Sequence, residues 1–126
     1  MNEIEELLKS GADANTANKN NFTLLMSFVE KGDAPTVKIL LDYGAKVNER
    51  DLFNMTALDY AIKKKDLNIA KLLVSNGAEI TNDNYMFAVE GNHKELVEFF
   101  DTFDANKQIF LKNKKKQKQP YIINNK

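Results

Sequence analysis

A regular repeat period constrains this chain more than any other feature of its sequence. Three similar segments, 7–13, 40–46 and 73–79, each carry a Gly-Ala pair after an apolar pair. Their glycines lie at 11, 44 and 77, so 44 − 11 and 77 − 44 both equal 33. A second marker agrees, because Thr23 and Thr56 open two similar apolar segments at the same spacing, 56 − 23 = 33. A fixed period of this length predicts an array of structural repeats, in which each unit packs on its neighbours.

Repeats of this length that open on a capping threonine resemble the ankyrin repeat. The resemblance extends from residue 1 to about residue 104. It implies an all-α solenoid of stacked helix-turn-helix units with short β-hairpin fingers between them. The predicted units are a partial repeat at 1–17, complete repeats at 18–50 and 51–83, and a shortened repeat at 84–104.

The fourth repeat departs from the pattern. Ala88 matches Ala61 and Val97 matches Ala70, but 88 − 61 and 97 − 70 both equal 27 rather than 33. Six residues are therefore missing where a finger is expected. Terminal repeats are commonly atypical, so this unit is predicted to cap the stack.

The end of the chain is basic, although the formal net charge is zero. Residues 1–106 hold 18 acidic and 11 basic residues, which gives 11 − 18 = −7, while 107–126 hold seven lysines and no acid. We expect the apolar run 109–111 to extend the domain to residue 111 as a capping segment, followed by a Lys-rich tail at 112–126. Three interpretations of the tail stay open: a solvated terminus, a site for nucleic acid or anionic lipid at Lys112–Lys118, or docking on the acidic body.

Local signals predict the ends of the helices. Thr23 and Thr56 are suited to cap the first helix of a repeat, and Asp33 and Asp66 to cap the second. The glycines at 11, 44 and 77 are expected to end the second helices in the left-handed conformation. Lys65 occupies the position of a glycine in the preceding repeat, so a strained left-handed lysine is predicted there.

Asn21 and Asn54 stand where the resemblance leads one to expect a turn glycine. Asparagine tolerates positive φ better than other residues with a side chain, so both turns are predicted to form.

No arrangement of residues predicts catalysis, metal binding or a cofactor. The chain has no cysteine and one histidine, His93, so no nucleophilic dyad or thiolate metal site is available. The five glycines are scattered and form no phosphate-binding loop. We therefore expect no enzymatic activity and a structural role for His93.

Composition also bears on the compartment. The N-terminus is acidic and amphipathic, unlike a secretory signal, and no apolar run approaches the ~18 residues of a membrane span. The absence of cysteine suits a reducing compartment. We expect a monomeric cytoplasmic protein, and delivery into a host cell is left open.

The resemblance implies a protein partner, bound on the concave face that fingers and inner helices form. Four large apolar residues on the predicted fingers make up the centre of this candidate site, although packing between fingers would also explain them. An aromatic residue and two lysines flank it. The predicted partner-binding residues are Phe22, Tyr43, Leu52, Phe53, Met55, Lys63 and Lys64.

Overall fold

A computed structural model describes residues 2–103 of the chain. These residues form seven α-helices and no sheet, and the predicted capping segment and Lys-rich tail lie outside them. The helices are α1 Glu3–Lys9, α2 Leu24–Glu30, α3 Ala34–Asp42, α4 Ala57–Lys63, α5 Leu67–Ser75, α6 Asn82–Glu90 and α7 Lys94–Phe103.

The helices form two layers. α2, α4 and α6 stack in sequence as an inner layer, and α1, α3, α5 and α7 stack as an outer layer. Within a repeat, three residues connect the inner helix to the outer one, so the two lie antiparallel and in contact. The predicted stack of helix-turn-helix units is confirmed.

Capping side chains start the helices where the sequence predicted. The Thr23 and Thr56 hydroxyls accept hydrogen bonds from the amides of Met26 and Asp59, in the first turns of α2 and α4. Asp33 and Asp66 do the same for α3 and α5. These bonds satisfy amides that the first turn of a helix leaves unpaired.

The connections after the outer helices are left-handed, as predicted. Gly11, Gly44 and Gly77 have φ values of +106°, +91° and +98°. Lys65 has a φ of +59°, so the strained lysine is also present. Because a β-carbon disfavours this region, the three glycines fit their positions better than the lysine does.

The core runs through the whole stack between the two layers. Val37 and Leu40 of α3 are fully buried, as are Ala70 and Leu73 at the same positions of α5. In the shortened repeat the residue that corresponds to Leu73 is Phe100, since 100 − 73 equals the interval of 27 that this repeat shows. Phe100 is also fully buried. The last helix pair therefore continues the core despite the deletion.

Two fingers project between the helix pairs, finger two at 17–22 and finger three at 50–55. The Asn18 amide donates to the Phe22 carbonyl at 3.1 Å, and the Asp51 amide donates to the Met55 carbonyl at 3.0 Å. The only strand-like pairing in residues 2–103 is one isolated bridge between Ala17 and Thr23. The fingers are thus tight turns, too short for the strands of the predicted β-hairpins.

The connection that leads into α6 is shorter than those that lead into the preceding inner helices. The connections before α2 and α4 run over 10–23 and 43–56, whereas the connection before α6 covers only 76–81. Thr81 caps α6, which begins at residue 82 and is two residues longer than α4. A capping threonine thus starts α6 inside the segment 51–83 that was assigned to the third repeat.

Candidate functional site

The predicted partner-binding residues differ in their exposure. On finger three, Leu52 and Phe53 are 70% and 75% exposed. Phe22 and Met55, at equivalent positions of the two fingers, are only half-buried and pack against the core. Tyr43, Lys63 and Lys64 are exposed.

Phe22 packs against its neighbours and is not an exposed anchor. Its ring meets the ring of Tyr60 edge-on, with centroids 5.5 Å apart. Edge-to-face pairs of this kind stabilise a fold by about 0.5–1.5 kcal/mol beyond their buried area. Packing against neighbours, the alternative left open for the finger residues, therefore accounts for Phe22, because the next inner helix brings an aromatic side chain against it.

A buried carboxylate gives finger three its shape. The Asp51 side chain accepts hydrogen bonds from the amides of Phe53, at 2.9 Å, and Met55, at 3.0 Å. Its other oxygen accepts the hydroxyl of Tyr60. Burial, and then the neighbouring Asp51, raises the pKa of the Tyr60 phenol far above its usual range, which keeps this donor protonated. Finger three is thereby tied to α4 with Phe53 directed away from the core.

Two adjoining grooves lie between finger three and α6. The finger groove, about 530 Å³, is lined on its apolar side by Phe53, Met55, Met86 and Phe87. The helix groove, about 560 Å³, lies along α4 and α6 and shares Met55 and Phe87 with the first. Volumes of this size accommodate several side chains of a ligand.

Sequence reasoning missed the contribution of α6 to these grooves. Met86 and Phe87 are 49% and 54% exposed, whereas Tyr60, the counterpart of Phe87 in the preceding repeat, is 6% exposed. The missing finger was the signal that could have found them, since an inner helix without its own finger leaves its first turns uncovered.

Basic residues border the helix groove. Lys63 and Lys65 line it, and Lys64 between them is exposed as the C-cap of α4. The single ion pair within residues 2–103 joins Lys38 to Asp42, so these three lysines have no carboxylate partner there.

Four members of the predicted set line neither groove, namely Phe22, Tyr43, Leu52 and Lys64. Tyr43 is the C-cap of the outer helix α3, and Lys64 projects from the end of α4. The structure thus brings together Phe53, Met55 and Lys63.

A polar network fixes α6 against α4 beneath the grooves. The Asp59 carboxylate accepts from the Thr56 amide at 2.9 Å and from the Asn84 side-chain amide. The Asn84 carbonyl oxygen in turn accepts from the Thr81 amide at 2.8 Å. Since Asn84 and Asp59 are buried, these bonds hold the two walls of the grooves in one arrangement.

His93 lies at the far end of the helix groove, at the position that Asp33 and Asp66 occupy in earlier repeats. Its Nε2 is buried without a hydrogen-bond partner among the described residues. Across the same part of the chain, no three His, Cys, Asp or Glu side chains lie close enough to hold a metal ion. None of the described helices has the length and hydropathy needed to cross a membrane.

A family model of three ankyrin repeats matches residues 2–84, about two thirds of the chain. The matched segment contains both fingers and runs from α1 into the first turn of α6. No curated protein matches the chain. Ankyrin repeats are typically non-enzymatic and generally mediate binding between proteins. The chain belongs to the ankyrin repeat family.

Proposed function

We propose that this protein binds a protein partner through finger three and the helix groove, and has no enzymatic activity of its own. The observation that supports this most is the exposure of Leu52 and Phe53, 70% and 75%, on finger three, whose Phe53 and Met55 line the finger groove. Exposed apolar clusters next to a concave surface commonly mark interfaces. We place the protein in the cytoplasm as a monomer, in keeping with its lack of cysteine.

The surroundings of the groove define the partner's chemistry. Phe53, Met55 and Phe87 offer contacts to an apolar side chain. Lys63 and Lys65, which have no ion pair within residues 2–103, favour an acidic group beside it, although Asp59 and Glu90 also line the helix groove. The proposed ligand is therefore a segment that presents a large apolar residue next to a carboxylate. The apolar contact supplies affinity, and the charges fix orientation and speed association.

Phe53→Ala tests this site. The ring is mostly exposed, so its removal should change the free energy of unfolding by no more than about 0.5 kcal/mol. Truncation of an aromatic anchor costs about 2 kcal/mol or more of binding, roughly a thirtyfold loss of affinity. Partners captured from native lysate and identified by mass spectrometry should be lost with Phe53→Ala.

Leu7→Ala is the matched control. Leu7 is 55% exposed on α1, away from both grooves, so this variant should retain every partner. Early melting of Phe53→Ala would show that the ring serves packing. Normal folding with unchanged capture would place the binding site elsewhere.

The Lys-rich tail supports a second candidate function, association with nucleic acid or anionic membrane through Lys112–Lys118. Seven lysines without an acid give 107–126 a charge of +7. Electrostatic binding of this kind falls steeply between about 50 and about 200 mM salt, whereas apolar binding at finger three should not. A salt series on the captured complexes therefore separates the two candidates.

A further inference from the structure

The connection before α6 leaves a vacant place beside finger three. It covers only 76–81, less than half the length of the two preceding connections, and it contains no finger. Tyr60 of α4 is 6% exposed, because Phe22 packs on its ring and Asp51 of its own finger accepts its hydroxyl. Phe87, at the same position of α6, is 54% exposed. An apolar ring that a finger would have covered is thus open.

Finger three has the same hydrogen-bonding groups along its edge that finger two uses to bind finger three. In the complete repeats the Leu52 amide donates to the Asn20 carbonyl at 3.0 Å, and the Asn21 side chain donates to the Arg50 carbonyl at 2.7 Å. The corresponding groups of finger three, one repeat later, are the Phe53 carbonyl and the Asn54 side-chain amide. Neither has a partner within residues 2–103.

These groups specify what fits the vacant place. By analogy with finger three on finger two, an occupant presents a backbone carbonyl to Asn54 and, two residues later, a backbone N–H to Phe53. It also places an apolar side chain over Phe87. Any short extended or turn segment with an apolar residue meets these requirements.

We propose that this occupant is the chain's own segment 105–111, with Ile109, Phe110 and Leu111 in the finger groove. α7 lies antiparallel to α6, so its last residue, Phe103, lies beside the first turn of α6. Packed helix axes are about 8–10 Å apart, and the six residues from Phe103 to Ile109 span up to roughly 20 Å. The first apolar run after α7 therefore reaches the groove.

Charge supports the same assignment. Residues 1–106 carry −7 and 107–126 carry +7, and the finger groove is lined by the acidic Asp59, Asp83 and Glu90 against one basic residue, Arg50. The lysines that follow residue 111 would lie near these carboxylates. Finger two of a second copy fits less well, because α2 begins at Leu24, directly after that finger, and would overlap α6.

A spin label on the full-length chain tests the proposal. The protein has no cysteine, so Lys112→Cys gives a single attachment site immediately after the apolar run. With docking, the label should remove more than half of the amide NMR signal intensity of finger three and the first turns of α6. The amides of α1 and finger two should keep their intensity. Uniform or absent broadening would overturn the proposal.

Two controls identify the occupant. Phe110→Ser in the labelled chain should restore the lost signals, whereas Tyr121→Ser, in the second apolar run of the tail, should leave them broadened. Mixing labelled protein without ¹⁵N and unlabelled protein with ¹⁵N should give no broadening. Broadening in that mixture would show that a second copy supplies the segment. If the groove amides keep their intensity in every sample, the occupant would have to be a foreign peptide. Either result would refute docking in cis.

This inference does not depend on the proposed function, since its measurement needs no partner. The two sites share Phe53 and Met55, so a docked segment competes with a partner there. Phe110→Ser should then strengthen partner capture. Failure of capture alone would count against the proposed function and leave the spin-label result unchanged.

Discussion

Lys65, between α4 and α5, tests whether a left-handed residue with a side chain lowers the stability of the fold. Lys65 has a φ of +59°, close to the +73° of Gly32 at the same position of the preceding repeat. Its amide donates to the Ile62 carbonyl at 2.9 Å, and the next amide donates to Ala61 at 3.0 Å. The helix end therefore imposes the conformation whichever residue is present, and we expect Lys65→Gly to stabilise the fold.

The magnitude follows from two opposed terms. A β-carbon in the left-handed region costs about 1–2 kcal/mol, which glycine would remove. Glycine also gives the unfolded chain more freedom, and this offsets roughly 0.4–1 kcal/mol of that stabilisation. The lysine side chain is exposed and has no ion pair among the described residues, so its loss should matter little. The expected net stabilisation is ~1 kcal/mol, or roughly 4–8 °C in Tm for a domain of this size.

The effect is measured as a shift of the midpoint of urea unfolding, provided that the dependence of the unfolding free energy on urea concentration stays the same. Lys64→Gly is the matched control, because Lys64 is equally exposed but right-handed, with a φ of −80°. It should be neutral or destabilising, since glycine there relieves no strain. If Lys65→Gly leaves the midpoint unchanged or lowers it, or if both variants shift it equally, the strain argument is refuted.

Further predictions concern the buried tyrosine, the bonds between repeats and the C-terminal segment. Burial and a neighbouring carboxylate raise the pKa of Tyr60, so above about pH 10 the unfolded chain loses a proton that the folded chain retains, and stability falls. Between about pH 8 and about pH 11, Tyr60→Phe should therefore lose less stability in urea unfolding than the parent, and equal losses would contradict this. The Asn48 side chain donates to the Gly77 carbonyl at 3.1 Å and accepts from the Glu79 amide at 2.9 Å. Asn48→Ala should therefore lower the free energy of unfolding by about 1–2 kcal/mol. Asn20→Ala, at an exposed finger position, should lower it by less than about 0.5 kcal/mol. Truncation after Leu111 should leave Tm nearly unchanged and truncation after Asp104 should lower it; equal effects would argue against a capping segment that ends there.

Local signals in the sequence predicted much of the framework. Thr23, Thr56, Asp33 and Asp66 cap helices where expected, and Lys65 has the positive φ that its glycine counterpart indicated. These predictions succeeded because a cap or a helix end is decided by residues three or four positions apart. The repeat period then predicted the same cap or helix end at the equivalent position of the next repeat.

The candidate site was predicted less completely. Phe53 is exposed, but the equivalence of Phe22 and Met55 in the period could not show that Phe22 packs on Tyr60, which belongs to the next repeat. The contribution of Met86 and Phe87 depended on where α6 begins, which Thr81 decides by capping it two residues early. The exposed fraction of a side chain depends on which residues of the neighbouring repeat pack against it.

The sequence by itself thus determined the helices, their ends and the order in which they stack, because short-range hydrogen bonds and a regular apolar pattern specify them. Only the tertiary structure decided which finger residues face solvent and which grooves open. It joined Asp51 to Tyr60 and Asp59 to Asn84, and it left Phe87 uncovered where the fourth finger is missing. The bond between Asp59 and Asn84 and the exposure of Phe87 depend on how neighbouring repeats pack, and the bond between Asp51 and Tyr60 depends on how a finger folds back on its own helix; none of these contacts is encoded by a single short segment.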